Sequence, residues 1–138
     1  MKNITILWRR LVDDQGHTCE RCGDTEQEVM KAWRFLQKSF APVGIDFSLK
    51  KESITPEEFQ RHPLASNRIY VDGRPLESWL KAEVGQSPCC GPCGDAECRT
   101  LTVEGQEHTT IPAELVVKAG LLAVQRLARQ LTSSGVRR

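Results

Sequence analysis

Six cysteines, arranged in two groups, are the residues of this chain best suited to chemistry. The first group is a C-x-x-C made of Cys19 and Cys22. The second group places four thiols within ten residues: Cys89, Cys90, Cys93 and Cys98. A thiolate is both a nucleophile and a soft-metal ligand, so thiols spaced in this way indicate disulfide exchange or metal binding.

The C-x-x-C lies between a strand pattern and a helix pattern. Residues 3–12 alternate in part and are rich in β-branched and aromatic types, which predicts a strand. Apolar residues recur at spacings of three and four over residues 26–40, which predicts an amphipathic helix. Free N–H groups and the helix dipole stabilise a thiolate at a helix start. We therefore expect Cys19 to attack a disulfide and Cys22 to resolve the mixed disulfide.

A second helix start competes with the first. Thr25 and Glu28 have the spacing of a capping box, which would begin the regular helix after Cys22. The thiols would then lie outside the strong part of the dipole, and the pair would act as a loop chelate for a metal. The sequence leaves both starts open.

The remaining elements follow from periodicity and turn residues. Residues 45–50 alternate like a strand, and Thr55-Pro56-Glu57-Glu58 predicts the start of a short helix. Asp72-Gly73 predicts a tight hairpin turn. Helical turns over residues 77–84 are expected to lead into the cysteine-rich loop. A further hairpin of residues 99–103 and 107–111 precedes a long helix from Ile111-Pro112 to about residue 131.

This order of elements resembles the thioredoxin-like superfamily, with Cys19 and Cys22 at the place of its active-site cysteines. Residues 68–76 resemble its third and fourth strands, and the motifs together are similar to an uncharacterised cysteine-rich family of small thioredoxin-like domains. The resemblance implies an α/β fold, a thioredoxin-like β-α-β-α-β-β-α sandwich with a cysteine-rich loop insertion at about 85–98, before the C-terminal hairpin and helix. We expect one domain over residues 1–132 and a flexible tail over 133–138.

Two details qualify the resemblance. Ser66-Asn67 stands where the superfamily usually has a cis-proline, and a smaller obstacle there would leave room for a metal. Cys90-Gly91-Pro92-Cys93 equals the thioredoxin tetrapeptide, but turn-forming residues rather than a strand precede it.

The second group therefore favours a metal site or a relay. Candidate ligands are Cys89, Cys90, Cys93 and Cys98, of which three would bind with His108 or a sulfur of the first pair. Thiolates select zinc or another thiophilic metal, iron–sulfur clusters included. Alternatively, the group passes electrons to Cys19 and Cys22 by thiol exchange, or binds a structural zinc in a partner-docking domain.

Composition and charge restrict the kinds of partner and the cellular compartment that we expect. Nineteen basic against eighteen acidic residues leave a net charge of +1, and the charges are interspersed, which argues against nucleic acid or a membrane as partner. With neither an export signal nor an apolar span, we expect a cytoplasmic protein. The prediction is a thiol-disulfide redox protein, a candidate oxidoreductase acting on a protein or small-molecule thiol or disulfide. The alternative is a soft-metal or metalloid binding protein without redox turnover.

Overall fold

Helices and two β-sheets form a mixed α/β arrangement in the computed structural model, which describes residues 2–11, 20–62, 64, 67–88 and 97–135. The helices are α1 (Glu20–Phe40), α2 (Pro56–Arg61), α3 (Leu76–Leu80) and α4 (Ala113–Gly135), and a 3-10 turn spans Ala41–Val43. The strands are β1 (Lys2–Leu11), β2 (Ile45–Ile54), β3 (Arg68–Val71), β4 (Arg74–Pro75), β5 (Glu83–Pro88), β6 (Glu97–Val103) and β7 (Gln106–His108).

The first sheet has the order β2-β1-β3-β4. β1 runs parallel to β2, with Ile6 opposite Leu49, and α1 makes the crossover that a parallel pair requires. β3 is antiparallel to both β1 and β4. The predicted turn between β3 and β4 is confirmed, since Asp72 and Gly73 both have positive φ angles, 53° and 80°.

The core lies between the first sheet and the helices. Alternate residues of β1 are fully buried, namely Ile4, Ile6 and Trp8. The predicted stripe of α1 is buried at Val29 and Leu36, and α4 packs closely against it: a Cβ on Gly120 would lie 2.5 Å from Leu36 Cδ1. α4 ends at Gly135, within the predicted tail.

The second sheet is antiparallel, with the order β5-β6-β7. The predicted hairpin is present as β6 and β7, joined by Glu104 and Gly105 with φ angles of 51° and 81°. β5 differs from the prediction, because residues 83–84, expected at the end of helical turns, and residues 85–88, assigned to a loop, pair with β6 instead. Glycine, serine and proline are poor strand formers, so this strand arises from its partner rather than from local propensity.

The predicted capping box of α2 is confirmed. The Thr55 side chain accepts from the Glu58 N–H at 3.1 Å, and the Thr55 N–H donates back to the Glu58 carboxylate at 3.4 Å. None of the helices in the described part of the chain is both long and apolar enough to cross a membrane.

Candidate functional site at the start of helix α1

Helix α1 uses the earlier of the two starts. It begins at Glu20, which makes Cys22 its third residue and puts that residue in the first turn. Thr25 is therefore inside the helix, where its buried Oγ1 accepts hydrogen bonds from the Ile111 N–H at 3.1 Å and from Asn67 Nδ2 at 3.3 Å. The hydroxyl that could have capped a later start is thus occupied by other elements. Cys19 lies outside the described residues.

Asn67 connects three elements directly before β3. It is 1% exposed and has a φ of 58°, in the left-handed region that asparagine tolerates better than most residues. Its Oδ1 accepts from Trp8 Nε1 on β1 at 3.1 Å, while its Nδ2 donates to Thr25 on α1. From the sequence, Asn67 was noted only because Ser66-Asn67 stands where a cis-proline was expected. The available signal for its role was that asparagine, here directly before a strand, tolerates the left-handed backbone region better than most residues.

Arg99 anchors the second sheet to the same region. It directly follows Cys98 in β6, is 5% exposed, and donates from Nε to the Leu64 carbonyl at 2.8 Å. Its Nη1 lies 3.3 Å from Glu77 Oε2. Burial lowers the pKa of Arg99, and the Glu77 carboxylate opposes that shift. Sequence reasoning missed this residue.

The segments that follow Cys22 and Cys98 both contact the chain just before β3. Thr25, three residues after Cys22, contacts Asn67, and Arg99, one residue after Cys98, contacts Leu64. Asn67 and Arg99 also line one small cavity. The backbone segments that carry the two groups converge on this region.

The second cysteine group belongs to the hairpin of β5 and β6. Cys98 is the second residue of β6 and pairs with Ser87, while Pro88 pairs with Glu97. Cys89, Cys90 and Cys93 fall in the connection 89–96, outside the described residues. Strand pairing brings the two ends of this connection, Pro88 and Glu97, opposite each other. Among the side chains that the structure describes, no group of three or more His, Cys, Asp or Glu is arranged for a metal ion.

A polar cleft of about 680 Å³ opens beside the first turns of α1. Its walls include Asp24 and Glu28 of α1, His108 of β7, and Glu114 of α4. Hydrogen bonds from Lys31 and from the Ala113 N–H lower the pKa of Glu28. His108, one of the two alternatives predicted for a fourth metal ligand, thus shares a cleft with Asp24, two residues after Cys22. This cleft was not predicted from the sequence.

Fold and site together define a mixed α/β protein with a C-x-x-C at a helix start and a cysteine-bearing hairpin. The chain belongs to the family described as a domain of unknown function, DUF2703, which matches residues 4–120 and so includes both cysteine groups. It is 44% identical over 113 residues to an uncharacterized protein of Archaeoglobus fulgidus, and the alignment covers 82% of each chain. No solved structure gives a significant match.

Proposed function

We propose that this protein is a cytosolic, thioredoxin-like thiol-disulfide redox protein in which Cys19 attacks and Cys22 resolves. The observation that carries the proposal is the start of α1 at Glu20, which puts Cys22 in the first turn. Unpaired backbone N–H groups and the helix dipole act at that turn, and both favour a thiolate over a thiol.

The topology supports the thioredoxin-like assignment. Along the chain, β1 is followed by α1, the parallel strand β2, α2, and the antiparallel hairpin of β3 and β4. The last helix, α4, packs against α1. This is the order expected from the resemblance. The second sheet is then an insertion between the hairpin and α4, and it carries the second cysteine group.

The reaction needs only the two thiols and a disulfide substrate. The Cys19 thiolate attacks one sulfur of the substrate disulfide, forms a mixed disulfide and displaces the other sulfur as a thiolate. The Cys22 thiolate then attacks the Cys19 sulfur and releases the second substrate thiolate. Two electrons pass to the substrate, and a Cys19–Cys22 disulfide remains for an external dithiol to reduce.

The second cysteine group would act as a relay for that reduction. The segment after Cys22 contacts Asn67 through Thr25, and the segment after Cys98 contacts Leu64 through Arg99, so both segments meet the chain just before β3. Exchange requires that one thiolate reach a sulfur of the other pair. The partner would be a protein or small-molecule disulfide, rather than nucleic acid or a membrane.

Replacement of Cys19 tests the redox proposal. We expect Cys19→Ser to lose the catalysed reduction of a small symmetrical disulfide, measured above the rate of dithiothreitol alone, because the attacking sulfur is lost. Cys98→Ser should keep the first exchange step and slow only repeated turnover. Undiminished activity in Cys19→Ser would exclude the proposed role of this residue.

A soft-metal or metalloid binding protein is the second candidate. Three observations favour it: Asn67 stands where a cis-proline would face the thiols, His108 lines the cleft near the start of α1, and strand pairing sets Ser87 opposite Cys98 at the base of the connection that contains the other three cysteines. Elemental analysis of anaerobically purified protein tests this function. Stoichiometric zinc, iron or another thiophilic element that is lost in Cys93→Ser would support it. Metal-free protein with six rapidly titrating thiols would exclude it.

A further inference from the structure

An apolar groove lies between α1 and α4 on the outer surface of the helices. Its volume is about 440 Å³, and its lining includes Ala32, Phe35, Val117 and Leu121, with Lys31 and Lys118 also present. Phe35 is 55% exposed and Leu121 is 45% exposed, although both are large apolar side chains. Exposed apolar side chains that share a groove are typical of a binding surface rather than of chance exposure.

The groove is continuous with the cleft at the start of α1. Glu114 lines both of them, and on the same segment Pro112 lines the cleft while its neighbour Ala113 lines the groove. Ala32 in the groove is ten residues beyond Cys22 in α1, and at about 1.5 Å per residue the two are about 15 Å apart along the helix axis. A single ligand could therefore reach both the C-x-x-C and the groove.

The charges along this surface change with distance from the cysteines. Near the start of α1, the cleft presents exposed carboxylates on Asp24 and Glu114, which favour a cationic side chain. Farther along, Lys31 and Lys118 border the apolar residues. In a two-fold contact through the groove, both copies would bring Lys31 and Lys118 to one interface, and such a concentration of like charge is unfavourable. The pattern therefore fits a different protein better than a second copy.

We propose that this surface, the cleft together with the groove, binds an extended segment of a protein partner that carries the reactive disulfide. The inference rests on the proposed redox function, because it assigns that function a protein substrate. A basic side chain beside the substrate cysteine occupies the cleft, and an apolar side chain occupies the groove. Since an extended chain rises about 3.3 Å per residue, the apolar residue lies about four or five positions from the cysteine.

Synthetic peptides test the proposal. The probe is a peptide whose cysteine forms a mixed disulfide with thionitrobenzoate, with an arginine beside it and a leucine about five positions away. Two further peptides replace the leucine by serine or the arginine by glutamine. Because a buried leucine contributes about 1.5 kcal/mol or more, we expect the full peptide to release thionitrobenzoate about tenfold faster at limiting concentration than the serine peptide.

Matched variants of the protein locate the effect. Leu121→Gln should lower the rate with the full peptide about tenfold, for the same reason, and leave the rate with the symmetrical small-molecule disulfide unchanged. Val43→Gln is the control, since Val43 is 68% exposed and lies outside the groove. Glu114→Gln should remove the preference for arginine, whereas Glu57→Gln, in the first turn of α2, should not.

Failure of this inference can be told apart from failure of the redox function. Equal rates for all three peptides, with normal turnover of the small disulfide, would overturn the inference alone. If the small disulfide is not reduced either, binding of a fluorescent peptide with serine in place of cysteine still tests the surface by anisotropy. Absence of binding, or a dimer in sedimentation that Leu121→Gln dissociates, would also overturn it.

Discussion

Asn67 shows how one side chain can satisfy several demands at the junction of β1, α1 and β3. Its backbone is left-handed, which most residues avoid, and its amide offers both an acceptor to Trp8 and a donor to Thr25. Glycine would suit the backbone but not the hydrogen bonds, and glutamine would suit the hydrogen bonds but not the backbone. Asparagine meets both requirements, which holds the start of α1 against the sheet.

Replacement of Asn67 separates these two contributions. We expect Asn67→Ala to lower the free energy of unfolding by about 3 kcal/mol, because it leaves buried partners unpaired and strains the left-handed backbone. Asn67→Gly should lose about 1 kcal/mol less, since glycine has no such strain. Urea unfolding followed by tryptophan fluorescence measures both. If the alanine variant is as stable as the glycine variant, strain in the left-handed backbone does not contribute to the loss of stability.

At this scale the sequence showed the two cysteine groups but not the residues that support them. The cysteine spacing identified both groups directly. Asn67 and Arg99 act through contacts with residues 59 and 35 positions away in the chain, namely Trp8 and Leu64. Periodicity and local motifs carry no information about partners at such separations.

Helix α1 also holds the beginning of α4. The Thr25 hydroxyl accepts from the Ile111 N–H, and Glu28 Oε1 accepts from the Ala113 N–H at 2.9 Å. These donors lie at the start of α4, where helix N–H groups lack partners within their own helix and where a carboxylate is favourable. The two residues that looked like a capping box for α1 therefore serve the N-terminal end of another helix.

The Glu28 contact makes a pH-dependent prediction. Hydrogen bonds from Lys31 and from the Ala113 N–H lower the pKa of Glu28 below its ordinary value of 4.5. A carboxyl group whose pKa is lower in the folded than in the unfolded protein contributes its full stabilisation at pH values above the unfolded pKa. This contribution is lost as the pH falls through the lowered pKa of the folded protein. We expect Glu28→Gln to cost about 1 kcal/mol at neutral pH.

Unfolding of wild type and Glu28→Gln across pH measures this contribution. The difference between the two proteins should shrink steadily below pH 4.5, the ordinary value of the carboxyl group. Glu57→Gln, at an exposed glutamate in the first turn of α2, is the control for a general charge effect. A stability difference that stays constant with pH would show that ionised Glu28 does not stabilise the fold.

Elements differed in how well local sequence specified them. The hairpin turn at Asp72-Gly73 was predictable, because both residue types tolerate the positive φ angles that a tight turn needs, whereas in Glu104-Gly105 only the glycine favours such an angle. β5 was not, since Gly85, Gln86 and Ser87 become a strand through pairing with β6. Gly85 also has a packing role, because a Cβ there would approach Thr100 Oγ1 to 2.8 Å.

Across the whole molecule, a charged cluster joins the two sheets. Arg99 of the second sheet and Arg68 of the first both approach the Glu77 carboxylate of α3, at 3.3 Å and 3.5 Å. Arg99 also donates to the Leu64 carbonyl. This cluster attaches β6 to α3 and to the chain just before β3, and the proposed relay would require such an attachment.

Loss of Arg99 should loosen the second sheet as a unit. We expect Arg99→Met to lower the free energy of unfolding by about 3 kcal/mol, because it leaves the Glu77 carboxylate with one poorly placed cation. Hydrogen exchange should show faster opening of β5, β6 and β7 while β1 keeps its protection. Arg34→Met, at an exposed position on α1, is the control. Unchanged protection of β6 would argue against this attachment.

The amino-acid sequence by itself determined the two cysteine groups, the amphipathic pattern of α1 and the tight turns, because each depends on residues near one another in the chain. Tertiary structure decided where α1 begins: Thr25 and Glu28 could have capped a later start, but their side chains are engaged by Asn67, Ile111 and Ala113. It also decided that the hairpin carrying Cys98 is attached through Arg99 next to that start. Both outcomes rest on hydrogen bonds between distant segments, which form only when the core brings those segments together.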